Sequence, residues 1–203
     1  MSENTDNHKP AYIFSKMYDG EVERLSFAAK KFIALEYQYI QQYIAANSRI
    51  ADIGCGTGEI TNVMAETNPS SNVFGYDIDP AAIKSGKTLV GKKENLFFSE
   101  HSLQNEVLFP DGPFDFILLR LVLLHNSEPV KLLNALKKNL KPGGRLYVID
   151  VDDRYIEFSP TAAWQKILID TFQRVQTSLG GDRHLGAKLC GLLKEAGLTD
   201  IDV

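Results

Sequence analysis

Gly54, Gly56 and Gly58 stand at alternate positions behind an acid, Asp52, and this spacing can hold a ligand. Glycine tolerates positive φ and has no side chain, so a turn built this way lets backbone amides press against a bound molecule. A helix that opens directly after such a turn aims its free amides at negative or lone-pair-bearing groups. A second acid, Asp77, ends another short apolar run, where a carboxylate can accept hydrogen bonds from both hydroxyls of a ribose. A plain Asp-x-Asp-Pro surface turn is the other reading of those residues. His125 is the candidate general base, because it follows a further apolar run on a loop. Capping of the neighbouring helix, or packing under the N-terminal segment, is its alternative role.

These residues need elements to position them. Ile50, Ala51 and Ile53 read as a buried strand before the glycines, and Ile60, Val63, Met64 and Thr67 recur at helical spacing after them. Val73 to Tyr76 read as a second strand ending at Asp77. Pro80 then suits the first turn of a helix through Ala81, Ala82, Ile83 and Lys84. Residues 95–99 give a third strand, and residues 114–119 a fourth, entered through the turn at 110–113. A helix over about 128–140 places Leu132, Leu136 and Leu140 on one face and is stopped by residues 141–144. Residues 145–150 are the fifth strand. Apolar strands alternating with helices predict an α/β fold, a Rossmann-like doubly wound and mostly parallel sheet. Ligands on such sheets lie outside the carboxyl ends of the strands. Asp52, Asp77, Ser102, Arg120 and Asp150 all fall at or just beyond those ends.

Spacing also bears on the ligand. A dinucleotide turn, G-x-G-x-x-G, needs its third glycine at position 59, which is Glu59 here. The sequence reads Asp-x-Gly-x-Gly-x-Gly instead. With the acid that ends strand two, with Phe114, Asp115 and the run from Arg120 to His125, and with the turn Lys141 to Gly144, this resembles the class I S-adenosylmethionine-dependent methyltransferases over roughly residues 45–150. The stretch Tyr12 to Tyr18 is similar to the cap that such enzymes fold over the cofactor.

The resemblance implies S-adenosylmethionine as cofactor. It implies that Gly54, Gly56 and Gly58 border its methionine part, that Asp77 holds the ribose, and that Ser102 with Leu103 borders the adenine. Ile78 is placed to pack on the adenine face, and Tyr12, Asp52, Cys55 and Arg120 complete the expected cofactor-binding set. Many relatives carry an Asp where this chain has Ser102, so the adenine contact is weaker here. The implied activity is methyl transfer to an O, N or C nucleophile of a small-molecule acceptor. An NAD(P)-dependent oxidoreductase, or a non-catalytic module that keeps the S-adenosylmethionine pocket for regulation, are the alternatives.

Composition agrees with one globular domain. The chain has 203 residues, 44% hydrophobic and 24% charged, with 22 Lys plus Arg against 26 Asp plus Glu, a net charge of 22 − 26 = −4. That balance is not the basic footprint of a nucleic-acid binder. No apolar run is long enough to span a bilayer, and no secretion signal opens the chain. Cys55 and Cys190 show no metal-ligand spacing, which suits a reduced cytoplasm and no metal site. The oligomeric state is left open.

The expected layout is a disordered tail at 1–9, an N-terminal helical cap at 10–45 with Val22, Leu25, Ala29 and Phe32 on one helix face, and the cofactor-binding domain at 46–203. Trp164, Ile167, Leu168, Thr171, Phe172 and Val175 form a helical stripe after Pro160, expected in the core. Leu189, Leu192, Leu193 and Ala196 mark a last helix that Asp182 can cap. The corner Asp182-Arg-His also resembles a substrate-side feature of small-molecule methyltransferases. Asp152, Asp153 and Tyr155 are either substrate contacts or a solvated loop. Residues 197–203 read as the start of a sixth strand. The family's sheet ends in an antiparallel hairpin, so its final strands are expected to be incomplete and the domain C-terminally truncated.

Overall fold

The computed structural model describes residues 20–102 and 108–203, the side chain of Val22 excepted. The tail at 1–9, Tyr12 and the rest of the 12–18 cap stretch, and Leu103 lie outside the described residues. Five strands, β1 (Arg49–Ile53), β2 (Asn72–Asp77), β3 (Leu96–Glu100), β4 (Phe114–Arg120) and β5 (Leu140–Ile149), make one sheet in the order β3-β2-β1-β4-β5. Every pair in it is parallel. The chain leaves β1 toward β2 and β3, then crosses to the far side for β4 and β5. The switch point therefore lies between β1 and β4, and a ligand crevice is expected above it.

Period-two alternation sends successive side chains of each strand to opposite faces. Ile50, Val73, Phe98, Phe116 and Leu118 join one core, with Ala29, Phe32, Tyr37, Ile40, Ile60 and Met64 from the helices that cover it. Those helices are α1 (Glu21–Leu35), α2 (Tyr37–Gln41), α3 (Glu59–Thr67) and α4 (Pro80–Val90). Ala51, Ile53, Phe74, Tyr76, Ile117 and Leu119 join the other core beneath α5 (Pro129–Lys138) and α7 (Leu189–Glu195), where Leu132, Leu133 and Leu136 are buried. Each fully buried Leu or Phe contributes about 1.5–3 kcal/mol, so two cores hold the sheet rigid from both sides. Pro80 opens α4 as expected, and Asp79 caps it by accepting the Ala81 N–H at 2.8 Å. The Asp-x-Asp-Pro turn is thus real, and Asp79 serves it.

Four expectations need correction. Residues 141–144 do not precede β5 but bulge within it: Phe114 pairs with Leu140 and Phe116 with Arg145, so the extra residues stand opposite Asp115. Residues 197–203 form no strand, and Asp200 sits at φ +51, which breaks an extended run. The stripe on α6 (Ala163–Ser178) is not core: Trp164 is 60% exposed and Ile167 64%. Gln165 and Gln176 are the buried residues of that helix, and Gln173 accepts the Arg183 N–H at 3.0 Å. Helical spacing puts apolar residues on one stripe, but polar bonds at the Gly180–Arg183 corner decide how the helix sits. Asp182 does not cap α7; it accepts the His184 N–H at 2.8 Å and pairs with Lys188. No helix among the described residues is long and apolar enough to cross a membrane.

Candidate functional site

The glycine turn leaves β1 at the switch point with Gly54, Gly56 and Gly58 at φ +72, +55 and +78. Gly54 and Cys55 both donate their N–H to the carbonyl of Tyr76 on β2, at 2.8 and 3.0 Å, so β1–β2 pairing runs on into the turn. A Cβ on Gly58 would stand 2.6 Å from the Phe98 ring, and one on Gly54 would overlap Val122. Those two glycines let the turn lie flat against its own protein. Gly56 differs: among the described residues a Cβ there would meet only Leu25 of α1, at 3.9 Å, an ordinary contact with no overlap. That is the cradle.

Asp77 closes one end of it. Its carboxylate accepts the Gly56 N–H at 2.8 Å through Oδ2 and the Asp79 N–H at 2.9 Å through Oδ1. Each oxygen keeps a second lone pair, enough for the two hydroxyls of a diol. Burial raises the Asp77 pKa against the pull of those amides. Ile78 is exposed beside it, and the His101 N–H bonds the Asp77 carbonyl at 3.0 Å, which brings half-buried Ser102 to the same rim.

Asp52 lies beneath the turn, 3% exposed, accepting the Thr61 hydroxyl of α3 at 2.6 Å. Burial pushes its carboxyl up to about 6, opposed by Thr61 and by the positive charge of Arg120. Burial also lifts the Cys55 thiol well above its usual value. Arg120 ends β4, and its guanidinium lies over the Phe32 ring at 4.4 Å. The next residue, Leu121, holds φ +55, a strained backbone for a side-chain-bearing residue and of a kind that clusters at functional sites.

His125 ends a short 3-10 turn, Leu123–His125, that is clamped on both sides. The Leu124 N–H bonds Asp150 Oδ2 at 3.1 Å, and the Leu124 carbonyl accepts the Asp182 N–H at 2.8 Å. Burial raises Asp150 to about 6 against the amides that bind it. Beyond β5, Asp153 is buried and ion-paired with Arg183, while Asp152 pairs with Arg154 at 2.6 Å and Tyr155 is exposed. Asp153 is therefore neither a free substrate contact nor part of a solvated loop. No group of three or more His, Cys, Asp or Glu among the described residues is arranged to hold a metal.

A family model described as the methyltransferase domain matches residues 44–196, well over half of the chain. The chain belongs to the methyltransferase-domain family. It is similar to demethylmenaquinone methyltransferase of Thermus thermophilus, 32% identical over 138 residues, covering 67% of this chain and 60% of that one. Its fold is similar to that of a SAM-dependent methyltransferase of Methanosarcina mazei, with a TM-score of 0.61 at 20% identity, covering 79% and 84% of the two chains. Human N-acetylserotonin methyltransferase, solved with SAM, gives a TM-score of 0.65 at 19% identity, covering 91% of this chain and 52% of that one. The fold is thus the Rossmann-like one of the SAM-dependent methyltransferases. The chain spans about half the length of the curated relatives it matches.

Sequence spacing brought the glycines, Asp77, Ile78 and Ser102 to one rim, and the methyltransferase domain holds them there. Reading along the chain missed Thr61, the place of Leu25 beside Gly56 and the pairing of Asp153 with Arg183. Thr61 sits nine positions beyond Asp52, on the turn-facing side of α3, and that spacing was the available signal. The Asp153–Arg183 pair spans 30 positions and left none.

Proposed function

We propose that this methyltransferase domain binds S-adenosylmethionine in the crevice above the switch point and transfers its methyl group to a small-molecule acceptor. The observation that carries the reading is the Asp77–Gly56 bond, which sets a diol acceptor beside a bare backbone cradle. When bound, S-adenosylmethionine supplies a methyl group activated by a positively charged sulfur. The residues present fit it. Asp77 accepts from the ribose, Ile78 covers the adenine face and Ser102 bonds its edge, while Gly54, Cys55, Gly56 and Gly58 border the methionine part. Asp52 and Asp150 set negative charge around a cationic guest, and Asp52 also ties α3 to the turn. Residues 46–203 form the donor-binding domain, with 10–45, Tyr12 included, as its cap; Leu103 adds to the adenine border.

The protein's work is alignment: an acceptor nucleophile held close and in line behind a methyl carbon gains most of its rate from positioning. His125 takes the acceptor's proton where the nucleophile is O–H or N–H, held in place by the clamp on Leu124. Glu59 argues against a dinucleotide. It is buried at the start of α3, and a carboxylate there repels a diphosphate.

Isothermal titration with S-adenosylmethionine, S-adenosylhomocysteine and NADH tests the cofactor. Binding of the first two and not the third is expected, and the reverse overturns the reading. Transfer of labelled methyl from the donor to a panel of phenols, amines and activated carbon acids then tests turnover. Binding without transfer to any of them favours the non-catalytic module.

A further inference from the structure

The side that α6 lays on the body is polar. Gln165 and Gln176 are its buried residues, Gln165 accepts the Ala162 N–H at 2.7 Å, and Gln173 accepts the Arg183 N–H at 3.0 Å. Those bonds fix the rotation of the helix. Its apolar side therefore faces outward, with Trp164, Ile167, Leu168, Phe172, Val175 and Leu179 between 37% and 64% exposed. Phe158 adjoins that stripe, its ring centroid 6.4 Å from that of Trp164, and carries the patch on to exposed Tyr155 and Ile156. The exposed surface of these residues is roughly 900 Å² in all, taking aromatic side chains at about 150–250 Å². The largest apolar patch on a typical monomer is about 300–600 Å², and one side of a stable interface is about 800 Å².

Shape and spacing identify what covers this patch. A helix face is convex, so it fits another helix rather than a small molecule, which needs a concavity. Trp164, Leu168, Thr171, Val175 and Ser178 follow in steps of four, three, four and three, the repeat of a helix–helix seam. The seam matches itself. In an antiparallel pair with its twofold axis at Thr171, Trp164 of each copy meets Ser178 of the other, and Leu168 meets Val175. Bulk on one side thus meets a smaller residue on the other. Asp170 and Arg174 lie on one flank of the seam, and like flanks face each other across such an axis. Arg174 bonds the Thr171 hydroxyl at 3.2 Å, which holds its guanidinium at the seam edge. The Asp170 of each copy then stands within reach of the other copy's Arg174, an attraction made twice.

We propose that the outward face of α6 is a homodimer interface, covered by a second copy of this chain packed antiparallel through the same helix. The inference goes beyond the methyl-transfer reading and does not depend on it. Because the pairing uses the same patch on both copies, it closes at two and leaves no further stripe exposed.

Sedimentation equilibrium of the full chain over a concentration series tests it. A monomer–dimer equilibrium in the micromolar range is expected. Ile167→Asp and Trp164→Lys are each expected to weaken the dimer by more than about 30-fold, as loss of an interface anchor does. Both positions face solvent in the single chain, so circular dichroism and thermal midpoints taken below the dissociation constant should stay parental. If either variant fails to fold, Val175→Asp takes its place. The register has its own test. Asp170→Arg and Arg174→Asp each set like charges across the axis, so each alone is expected to dimerise about 10-fold more weakly. A mixture of the two variants restores both attractions and should form a heterodimer of near-parental affinity. A chain that is monomeric at every concentration, a dimer that survives Ile167→Asp and Trp164→Lys, or growth beyond two copies overturns the proposal. Charge variants that pair no better mixed than alone overturn the antiparallel register.

Discussion

The Asp77 carboxylate accepts the Gly56 amide at 2.8 Å, so the tip of β2 and the middle of the glycine turn are tied together before any ligand arrives. Asp77 thereby shapes the turn, and in the proposed reading its remaining lone pairs accept the ribose diol. Asp77→Ala removes both functions and is expected to weaken S-adenosylhomocysteine by about 1–3 kcal/mol, the cost of a lost hydrogen-bond partner. Asp77→Asn keeps an acceptor and should lose less. Calorimetric titration checks the order; an alanine variant that binds as the parent does would remove Asp77 from the ribose.

Gly56 and Gly58 separate binding from folding. Among the described residues a Cβ at Gly56 meets only Leu25, at an unstrained 3.9 Å, so Gly56→Ala strains the protein chiefly through its left-handed backbone, about 1–2 kcal/mol. That corresponds to a fall in Tm of about 2–8 °C for a chain of this size. Ligand binding should nonetheless drop more than tenfold, since the methyl fills the cradle. Gly58→Ala meets the Phe98 ring at 2.6 Å and should lower Tm further. Thermal melts beside titrations read both, and a Gly56→Ala chain with parental affinity would show the ligand lies elsewhere.

Asp52 carries a pH signature. Its folded pKa is raised to about 6 from 3.8, so the fold holds its proton more tightly than the unfolded chain does. The stability this contributes is full below pH 3.8 and is lost as pH rises through about 6. Asp52→Asn cannot titrate there. The stability of the parent relative to Asp52→Asn should therefore decline between about pH 4 and 7, at most by about 1.4 kcal/mol per pH unit, and then level off. Urea midpoints across pH 4.5–8 measure the gap. A constant gap would mean the carboxyl does not titrate in that range.

His125 stands on a turn held by backbone bonds to Asp150 and Asp182, so the imidazole can be removed while the turn keeps its anchors. With an acceptor whose nucleophile is protonated, His125→Ala should lower kcat by about 100-fold or more, the range of general-base catalysis. S-adenosylhomocysteine affinity should stay near the parental value. Unchanged turnover would leave His125 with a packing role.

Arg183 and Asp153 anchor the segment after β5 to the corner after α6. Breaking a buried pair from one side strands a charge, so Arg183→Met should cost about 3–5 kcal/mol. The double variant Asp153→Asn, Arg183→Met should recover part of that loss in a denaturant melt. A double variant no more stable than the single one would point to lost packing instead.

The strands and the glycine turn were legible because buried parallel strands are short apolar runs and because three left-handed positions call for glycine. Asp77 and Ser102 could be placed at strand ends by counting. The bulge at 141–144 was hidden, since a Pro-Gly-Gly run reads as a turn whether it lies before a strand or within one. The outward-facing stripe of α6 was hidden for another reason. Spacing gives a helix its apolar side, but the bonds made by Gln173 and Arg183, ten positions apart, fix its rotation. The stacking of Arg120 on Phe32, with its Nε buried and lacking a hydrogen-bond partner, arises only once Phe32, Asp52 and Ile149 are brought around it.

The shared use of the Tyr76 carbonyl by Gly54 and Cys55 has a wider consequence. Those two amides extend the β1–β2 ladder into the turn, so the shape of the glycine turn is tied to the pairing of the central strands. The far half hangs from the body by polar fastenings at Gln173, Arg183 and Asp153. Selection or engineering can therefore rewrite α6 for new guests and leave the sheet's architecture untouched.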